Sequence, residues 1–287
     1  MYMDTYELIN LNDYTQSGEG GTAVSYTHKD RKTLAKLYNP GFEADRAKEE
    51  FLTARTVFEI GIPTPEPYRL ITDGERYGAE YELVPDKRSF TRIISQEPER
   101  LQEISLTFAS MAKKLHATPA DTSRLRSYKE TLTKFYQEKN LVPESFKQRS
   151  LAFLEQVPDT PNCLHGDLQI GNIITDGYRT LWIDVGEFSY GTPEWDLCIM
   201  WIMGQRMGEE RADKLFHLKP QQLQEHWNIF LPAYLGTKDP QEVGAYTKRL
   251  IAYYAVKVPY VYDMAYHGPL PESSFQVIEQ TLAMVGK

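Results

Sequence analysis

Hydrophobic and polar positions change their rhythm once along this chain. In the first third, Tyr6–Leu11, Tyr14–Ser17, Ala23–Thr27 and Thr33–Tyr38 are short segments rich in aromatic or β-branched residues. Glycine-rich or charged turns separate them, which predicts strands in a meander. Within the charged stretch Glu43–Phe58, Phe51, Ala54 and Phe58 fall at helical spacing, and Gly61-Ile62-Pro63-Thr64-Pro65 ends that helix because proline cannot continue it. Tyr68–Thr72 and Tyr77–Val84 flank Asp73-Gly74, a hairpin signal, and Pro85-Asp86 closes the second strand.

Beyond that point the period becomes helical. Leu101, Ile104, Phe108, Met111 and Leu115 recur at three and four residues, as do Val243, Tyr246, Leu250 and Tyr253, and later Phe275, Ile278, Leu282 and Val285. One exception interrupts the helical part: Ile173-Ile174 and Leu181-Trp182-Ile183 flank a turn at Asp176-Gly177 and predict a second hairpin. The pattern predicts an α+β fold, a small β-rich lobe over 1–84 with one helix and a larger, mainly helical lobe over 85–287, with no internal repeat.

Composition narrows the class. With 287 residues, 41% of them hydrophobic, the chain can bury a sizeable core. Leu197–Met203, among the longest apolar runs, is far too short to span a bilayer, and Asp4 and Glu7 stand where a signal peptide would carry basic residues. Cys163 and Cys198 lack metal-ligand spacing, as expected in a reducing compartment, so a cytoplasmic protein with packed thiols is expected. A net charge of -8 argues against nucleic-acid or anionic-membrane partners and favours a cationic small molecule.

The candidate chemistry gathers at the second hairpin. His165-Gly166-Asp167, Asn172 and Asp184 would present a carboxylate, an amide and another carboxylate at one end of it. Oxygen ligands of this kind suit magnesium, which binds through one or two carboxylates plus substrate phosphates.

This spacing resembles the protein-kinase-like superfamily and, within it, the aminoglycoside phosphotransferase and choline kinase group. The matching text is Leu164-His165-Gly166-Asp167-Leu168-Gln169-Ile170-Gly171-Asn172, then Trp182-Ile183-Asp184-Val185-Gly186, then Gly191-Thr192-Pro193-Glu194-Trp195-Asp196-Leu197. The resemblance implies a bilobal kinase-like fold, with residues 1–84 binding ATP, or GTP, and residues 85–287 carrying catalysis and acceptor binding. It further implies that Asp167 accepts the proton of the attacking hydroxyl, that Asn172 and Asp184 hold magnesium, that His165 braces the loop and that Asp196 tethers it. Little more is needed, because phosphoryl transfer is catalysed mainly by positioning and charge.

By the same resemblance, Ser17-Gly18-Glu19-Gly20-Gly21-Thr22 would cradle phosphates on backbone N–H groups of Gly18, Gly20 and Gly21. Ala23 stands where a full protein-kinase pattern has its third glycine. Lys36 in Leu34-Ala35-Lys36-Leu37 would contact the α- and β-phosphates and pair with a helix glutamate, Glu50 or, next, Glu49. Backbone groups of Glu82 and Val84 would hold adenine.

Gly166 replaces the arginine that clasps a phosphorylated activation segment in regulated protein kinases, and the stretch from Asp184 to Pro193 is short. A small-molecule hydroxyl acceptor is therefore expected, with a protein kinase or a catalytically weak nucleotide-binding module as the alternatives. Trp227, Tyr246, Tyr253, Tyr254, Tyr260, Tyr262 and Tyr266 could line a pocket for an amine-bearing acceptor, or pack as core. Asp263 and Glu272 could reach a substrate from the last helices, and His116 is expected to be structural.

Overall fold

The computed structural model describes residues 5–285. Glu7–Leu8 (β1) leads through a short turn of 3-10 helix, Leu11–Asp13, to Tyr14–Glu19 (β2), Ala23–His28 (β3) and Thr33–Tyr38 (β4). Ala44–Glu59 (α1) intervenes before the hairpin of Pro67–Thr72 (β5) and Tyr77–Glu82 (β6). These strands form one sheet in the order β1-β5-β6-β4-β3-β2.

The sheet is antiparallel except at β1, which pairs in parallel with β5. A meander pairs sequential strands antiparallel, so β1 departs from the expected one. The Asn10 side chain accepts the Asn12 N–H at 3.1 Å beside the 3-10 turn, and the strand expected over Tyr6–Leu11 is confined to Glu7–Leu8. A buried carboxylate then ties the strands together. Glu80 accepts hydrogen bonds from Tyr14 Oη at 3.0 Å, Thr33 Oγ1 at 2.8 Å and Arg69 Nε at 2.7 Å, while Arg69 also pairs with Glu7. Burial alone would raise the Glu80 carboxyl, but Arg69 and the two hydroxyls hold it below the usual glutamate range.

Helix α1 buries Ala47, Phe51, Ala54 and Val57 at three- and four-residue spacing, and Phe51 packs with Leu70 and Ala79 of the sheet. Gly78 on β6 lies so close to β4 that a Cβ there would meet the Lys36 carbonyl oxygen at 1.9 Å. Only glycine lets β6 approach the strand that carries Lys36 this closely.

The chain continues through Arg88–Ser89 (β7), Phe90–Gln96 (α2), Leu101–Ala117 (α3), Arg126–Ser127 (β8), Tyr128–Glu138 (α4), Glu144–Gln156 (α5) and Cys163–Leu164 (β9). The second hairpin follows as Ile173–Thr175 (β10) and Thr180–Trp182 (β11), then Ser189–Tyr190 (β12). Helices Glu194–Arg206 (α6), Glu209–Phe216 (α7), Pro220–Leu235 (α8), Pro240–Tyr266 (α9) and Glu272–Val285 (α10) complete it.

Two compact units result. One comprises the described residues through Phe90 together with Gly171–Phe188; the other comprises Thr91–Ile170 and the described residues from Ser189 onward. The second hairpin, expected within 85–287, thus belongs with the first unit: Ile174 and Thr175 pair with Ser89 and Arg88, and Trp182 N–H donates to the Pro63 carbonyl at 2.8 Å.

In the second unit, α6 is buried on several sides by Trp195, Leu197, Cys198, Met200 and Trp201, and packs on α8 and α9. Its apolar run is that of a central core helix. Both cysteines are free and buried, and burial pushes their thiols up, Cys163 to about 11 and Cys198 to about 12. Among the described residues, no helix is long and apolar enough to cross a membrane.

Candidate active site

A cavity of about 340 Å³ lies in the first unit. The end of β2 contributes Gly18, the β2–β3 turn contributes Gly20 and Gly21, β4 contributes Lys36, α1 contributes Glu50, and the end of β6 and the chain leaving it contribute Glu82 and Val84. Asp184 and Gly186 come from the segment after β11. None of these three glycines of the β2–β3 hairpin has positive φ, so the backbone conformation does not require them. A Cβ on Gly21 would meet nothing within 4 Å. What the glycines provide is an unobstructed backbone at the cavity rim.

Lys36 Nζ donates to Asp184 Oδ1 at 2.8 Å. Burial works against the ammonium charge, but Asp184 and, more weakly, Glu50 outweigh it and hold Lys36 above the usual lysine range. Glu50 itself is turned to Tyr38, whose hydroxyl donates to Glu50 Oε2. Burial raises the Glu50 carboxyl, with Tyr38 and Lys36 opposing and Glu187 adding to the rise. The adjacent Glu49 is exposed, so helix phase selects Glu50 as the glutamate facing the cavity. Gly186 makes room for it, since a Cβ there would stand 2.8 Å from Glu50 Oε2.

Asp184 has left-handed backbone angles, φ 54° and ψ 48°. Such a conformation in a non-glycine residue costs on the order of 1 kcal/mol and persists only where its surroundings impose it. Here the open end of the hairpin imposes it: Ile183 N–H donates to the Asn172 carbonyl at 3.0 Å, and a turn of 3-10 helix begins at Val185. Asn172 and Asp184 are thereby brought to the same end of one hairpin. Among the described residues, no cluster of three or more histidine, cysteine or acidic side chains could cage a metal. An amide and a carboxylate remain, a donor set that fits a hard cation completing its shell with phosphate oxygens and water.

At the chain leaving β6, the Glu82 N–H is already committed to the Glu66 carbonyl at 2.8 Å, and its carboxylate pairs with Arg179 at 2.9 Å. The expectation that Glu82 offers its backbone to a ligand is thus restricted to its carbonyl. Two polar side chains at the cavity, Tyr38 and Lys87, carried no expectation from the sequence. Tyr38 was legible in principle, since it is two residues from Lys36 and shares its strand face. Lys87 also lines the cavity, and burial lowers its amine despite the opposing charge of Asp184.

The loop bearing His165 and Asp167 lies in the second unit. His165 is fully buried and Asp167 exposed. The fully buried Asp196 anchors the loop backbone, accepting the N–H of His165 at 2.7 Å on Oδ2 and that of Gly166 at 2.9 Å on Oδ1. His116 Nε2 shares Oδ2 at 3.1 Å and sets its other nitrogen against Tyr234 Oη at 2.8 Å. Burial would raise the Asp196 carboxyl, but His116 and the charge of Lys257 hold it below the usual aspartate range. Lys257, absent from the sequence reading, donates to the carbonyls of Trp195 at 2.8 Å and Gly166 at 3.1 Å. Its signal was a lone charge in the apolar run Ala255–Pro259.

Several aromatic residues of the late helices pack on aromatic rings of α4, α5 and α6. Tyr253 stands edge-on to Trp195 and Phe153, Tyr254 to Trp201, and Tyr260 to Phe135 and Tyr128. Trp227 and Tyr253 are buried, which is core packing, while Tyr266 is exposed beside Tyr262. Asp263 is paired with Lys139, and Glu272 is exposed at the start of α10.

Comparison with known proteins agrees with this geometry. The sequence pattern of the phosphotransferase enzyme family matches residues 16–226, more than half of the chain, and the chain belongs to that family. No curated protein matches it in sequence. Among solved structures it resembles the aminoglycoside phosphotransferase APH(4)-Ia, at 14% identity over 95% of this chain and 92% of that one, with a TM-score of 0.61. It also resembles an ethanolamine kinase of Plasmodium vivax, at 16% identity over 95% and 81% of the two chains, with a TM-score of 0.57. A mutant of APH(4)-Ia solved in a ternary complex with ADP and hygromycin B matches at 14% identity over 96% and 92%, with a TM-score of 0.58. At these identities the likeness is one of fold, the α+β kinase-like fold expected from the motifs.

Proposed function

We propose that this member of the phosphotransferase enzyme family transfers the γ-phosphoryl group of ATP, with magnesium, to a hydroxyl of a small amine-bearing acceptor, aminoglycoside- or choline-like. The observation that carries the reading is the pairing of Lys36 with Asp184 at 2.8 Å inside a glycine-rimmed cavity. A partly exposed lysine beside a carboxylate offers a cation to phosphate oxygens and an anion to their counter-ion.

In this reading the backbone N–H groups of Gly18, Gly20 and Gly21 cradle phosphate oxygens, and Lys36 binds the α- and β-phosphates. The Glu82 carbonyl and the Val84 N–H hold adenine. Glu50, held by Tyr38, stands within the field of Lys36 as its second counter-charge. Asn172 and Asp184 hold magnesium, which when bound neutralises charge on the phosphate oxygens. Asp167 orients the acceptor hydroxyl and takes its proton as the oxygen attacks, and His165 braces the loop that carries Asp167.

An amine-bearing acceptor is supported by the net charge of -8 and by the aminoglycoside found in a structural relative, rather than by an aromatic cage, because Tyr253, Tyr254 and Tyr260 are engaged with neighbouring aromatic rings. The buried reduced thiols and the use of ATP suit the cytoplasm. The segment after Asp184 supports a small acceptor over a peptide: a 3-10 turn over Val185–Glu187 and the two-residue β12 leave no room for a long activation loop.

The test is a mass-spectrometric screen of amines, amino alcohols and aminoglycosides incubated with the protein, ATP and magnesium. A phosphate-sized mass gain on a hydroxyl-bearing amine is expected. ATP binding without transfer to any acceptor would overturn the reading in favour of a nucleotide-binding module, and robust peptide phosphorylation would replace it with a protein kinase.

A further inference from the structure

A lysine 1% exposed is unusual, because an ammonium group is costly to bury without compensation. Lys257 has that compensation on three sides. Its Nζ donates to the Trp195 carbonyl at 2.8 Å and to the Gly166 carbonyl at 3.1 Å, and stands 4.6 Å from the centre of the Tyr128 ring. The charge of the nearby Asp196 completes the set.

These contacts converge on one residue, Gly166. Asp196 accepts the Gly166 N–H at 2.9 Å, while Lys257 takes the Gly166 carbonyl, so Gly166 is clamped through both its backbone groups. Gly166 has a left-handed φ of 84°, and the peptide that leaves it carries the nitrogen of Asp167. Without the lysine, the Gly166 carbonyl could rotate and carry Asp167 with it. The clamp comes from α9 just before Pro259, which cannot supply the backbone donor that the Ala255 carbonyl would otherwise receive. Tyr136 Oη caps the next carbonyl, that of Val256, at 2.7 Å. The helix is thus locally secured beside Lys257.

We infer that Lys257 is a positioning residue, which fixes the Gly166 carbonyl and thereby the orientation of Asp167, an inference that rests on the role proposed for Asp167. Lys257 does not line the nucleotide cavity. It is more than a counter-charge to Asp196, because its Nζ donates directly to the Gly166 carbonyl.

The experiment compares wild type, Lys257→Met, Lys257→Gln and Asp196→Asn/Lys257→Met. ATP affinity by calorimetry is expected to stay within about twofold in the two single variants, because the nucleotide cavity is lined wholly by the first unit. The kcat should fall about 10- to 100-fold with KM for ATP little changed, the scale of loss expected from a misplaced catalytic group. The double variant should remain as slow. Hydrogen exchange of the 163–170 segment should quicken in Lys257→Met whether or not an acceptor has been found, which separates failure of this inference from failure of the functional reading. Unchanged exchange, a folded variant with normal kcat, recovery in the double variant, or loss of fold in both single variants would each overturn the positioning role.

Discussion

Lys36 and Asp184 meet at 2.8 Å although they are 148 residues apart in sequence, and Glu50, the other acid near Lys36, is turned to Tyr38. The lysine is therefore balanced between two carboxylates, one on α1 and one after β11. Lys36→Met should weaken ATP binding about tenfold and lower kcat by about 10² or more, since both the proposed phosphate contact and the charge of the site are lost. Asp184→Asn should instead make nucleotide binding lose its response to magnesium. Calorimetry with and without magnesium checks both, and an unaltered magnesium response in Asp184→Asn would remove that residue from the metal role.

Asp167 is exposed, and the backbone just before it is anchored by Asp196. Asp167→Ala should therefore abolish transfer, by about 10²- to 10⁴-fold, the usual worth of a general base, while leaving ATP affinity and melting temperature nearly unchanged. Near-normal turnover in a steady-state assay would show that another group takes the proton.

Two glycines separate binding from folding. Gly21→Val places its side chain in open space, so melting temperature should stay put while KM for ATP rises. Gly78→Ala drives a methyl to 1.9 Å from the Lys36 carbonyl and should destabilise the fold by about 2–4 kcal/mol through backbone displacement. Thermal unfolding of the two variants side by side decides the matter; equal shifts would contradict the packing of β6 on β4.

His226 gives the fold an acid limb. Burial pushes its imidazole down from 6.5 to about 3, with Nδ1 2.8 Å from Ser105 Oγ. Between those values the unfolded chain binds a proton that the folded one refuses, so stability falls as pH drops below about 6.5, by up to about 1.4 kcal/mol per pH unit from this group. His226→Phe should show a shallower loss of melting temperature between pH 6.5 and pH 5 than wild type. Parallel curves would mean that His226 titrates normally.

Where sequence and structure agree, the signals are local. The alternation in Thr33–Tyr38, the Phe51-Ala54 spacing, the glycines of the Asp73-Gly74 and Asp176-Gly177 turns with φ of +99° and +90°, and the period of Leu101–Leu115 each depend on neighbours a few residues away. No helix was expected at α2, α4, α5, α6, α7 or α8, although α4 buries Tyr128, Leu132, Phe135 and Tyr136 and α8 buries Leu223, Trp227, Phe230 and Leu231 at helical spacing. The parallel pairing of β1 was missed for a physical reason. A two-residue strand has no period, and its partner β5 lies more than 60 residues on.

By itself the sequence determined the order and spacing of the chemical groups: a glycine-rich turn, a strand lysine, the His165–Asn172 loop and Asp184 after an apolar strand. Covalent spacing and turn chemistry suffice for that. Tertiary structure alone decided that Asp184 and not Glu50 holds the Lys36 ammonium, and that Lys257 reaches Gly166 from 91 residues away. Each of those outcomes depends on which distant groups burial brings together, and on the need of a buried charge for partners, neither of which is written in the residues on either side.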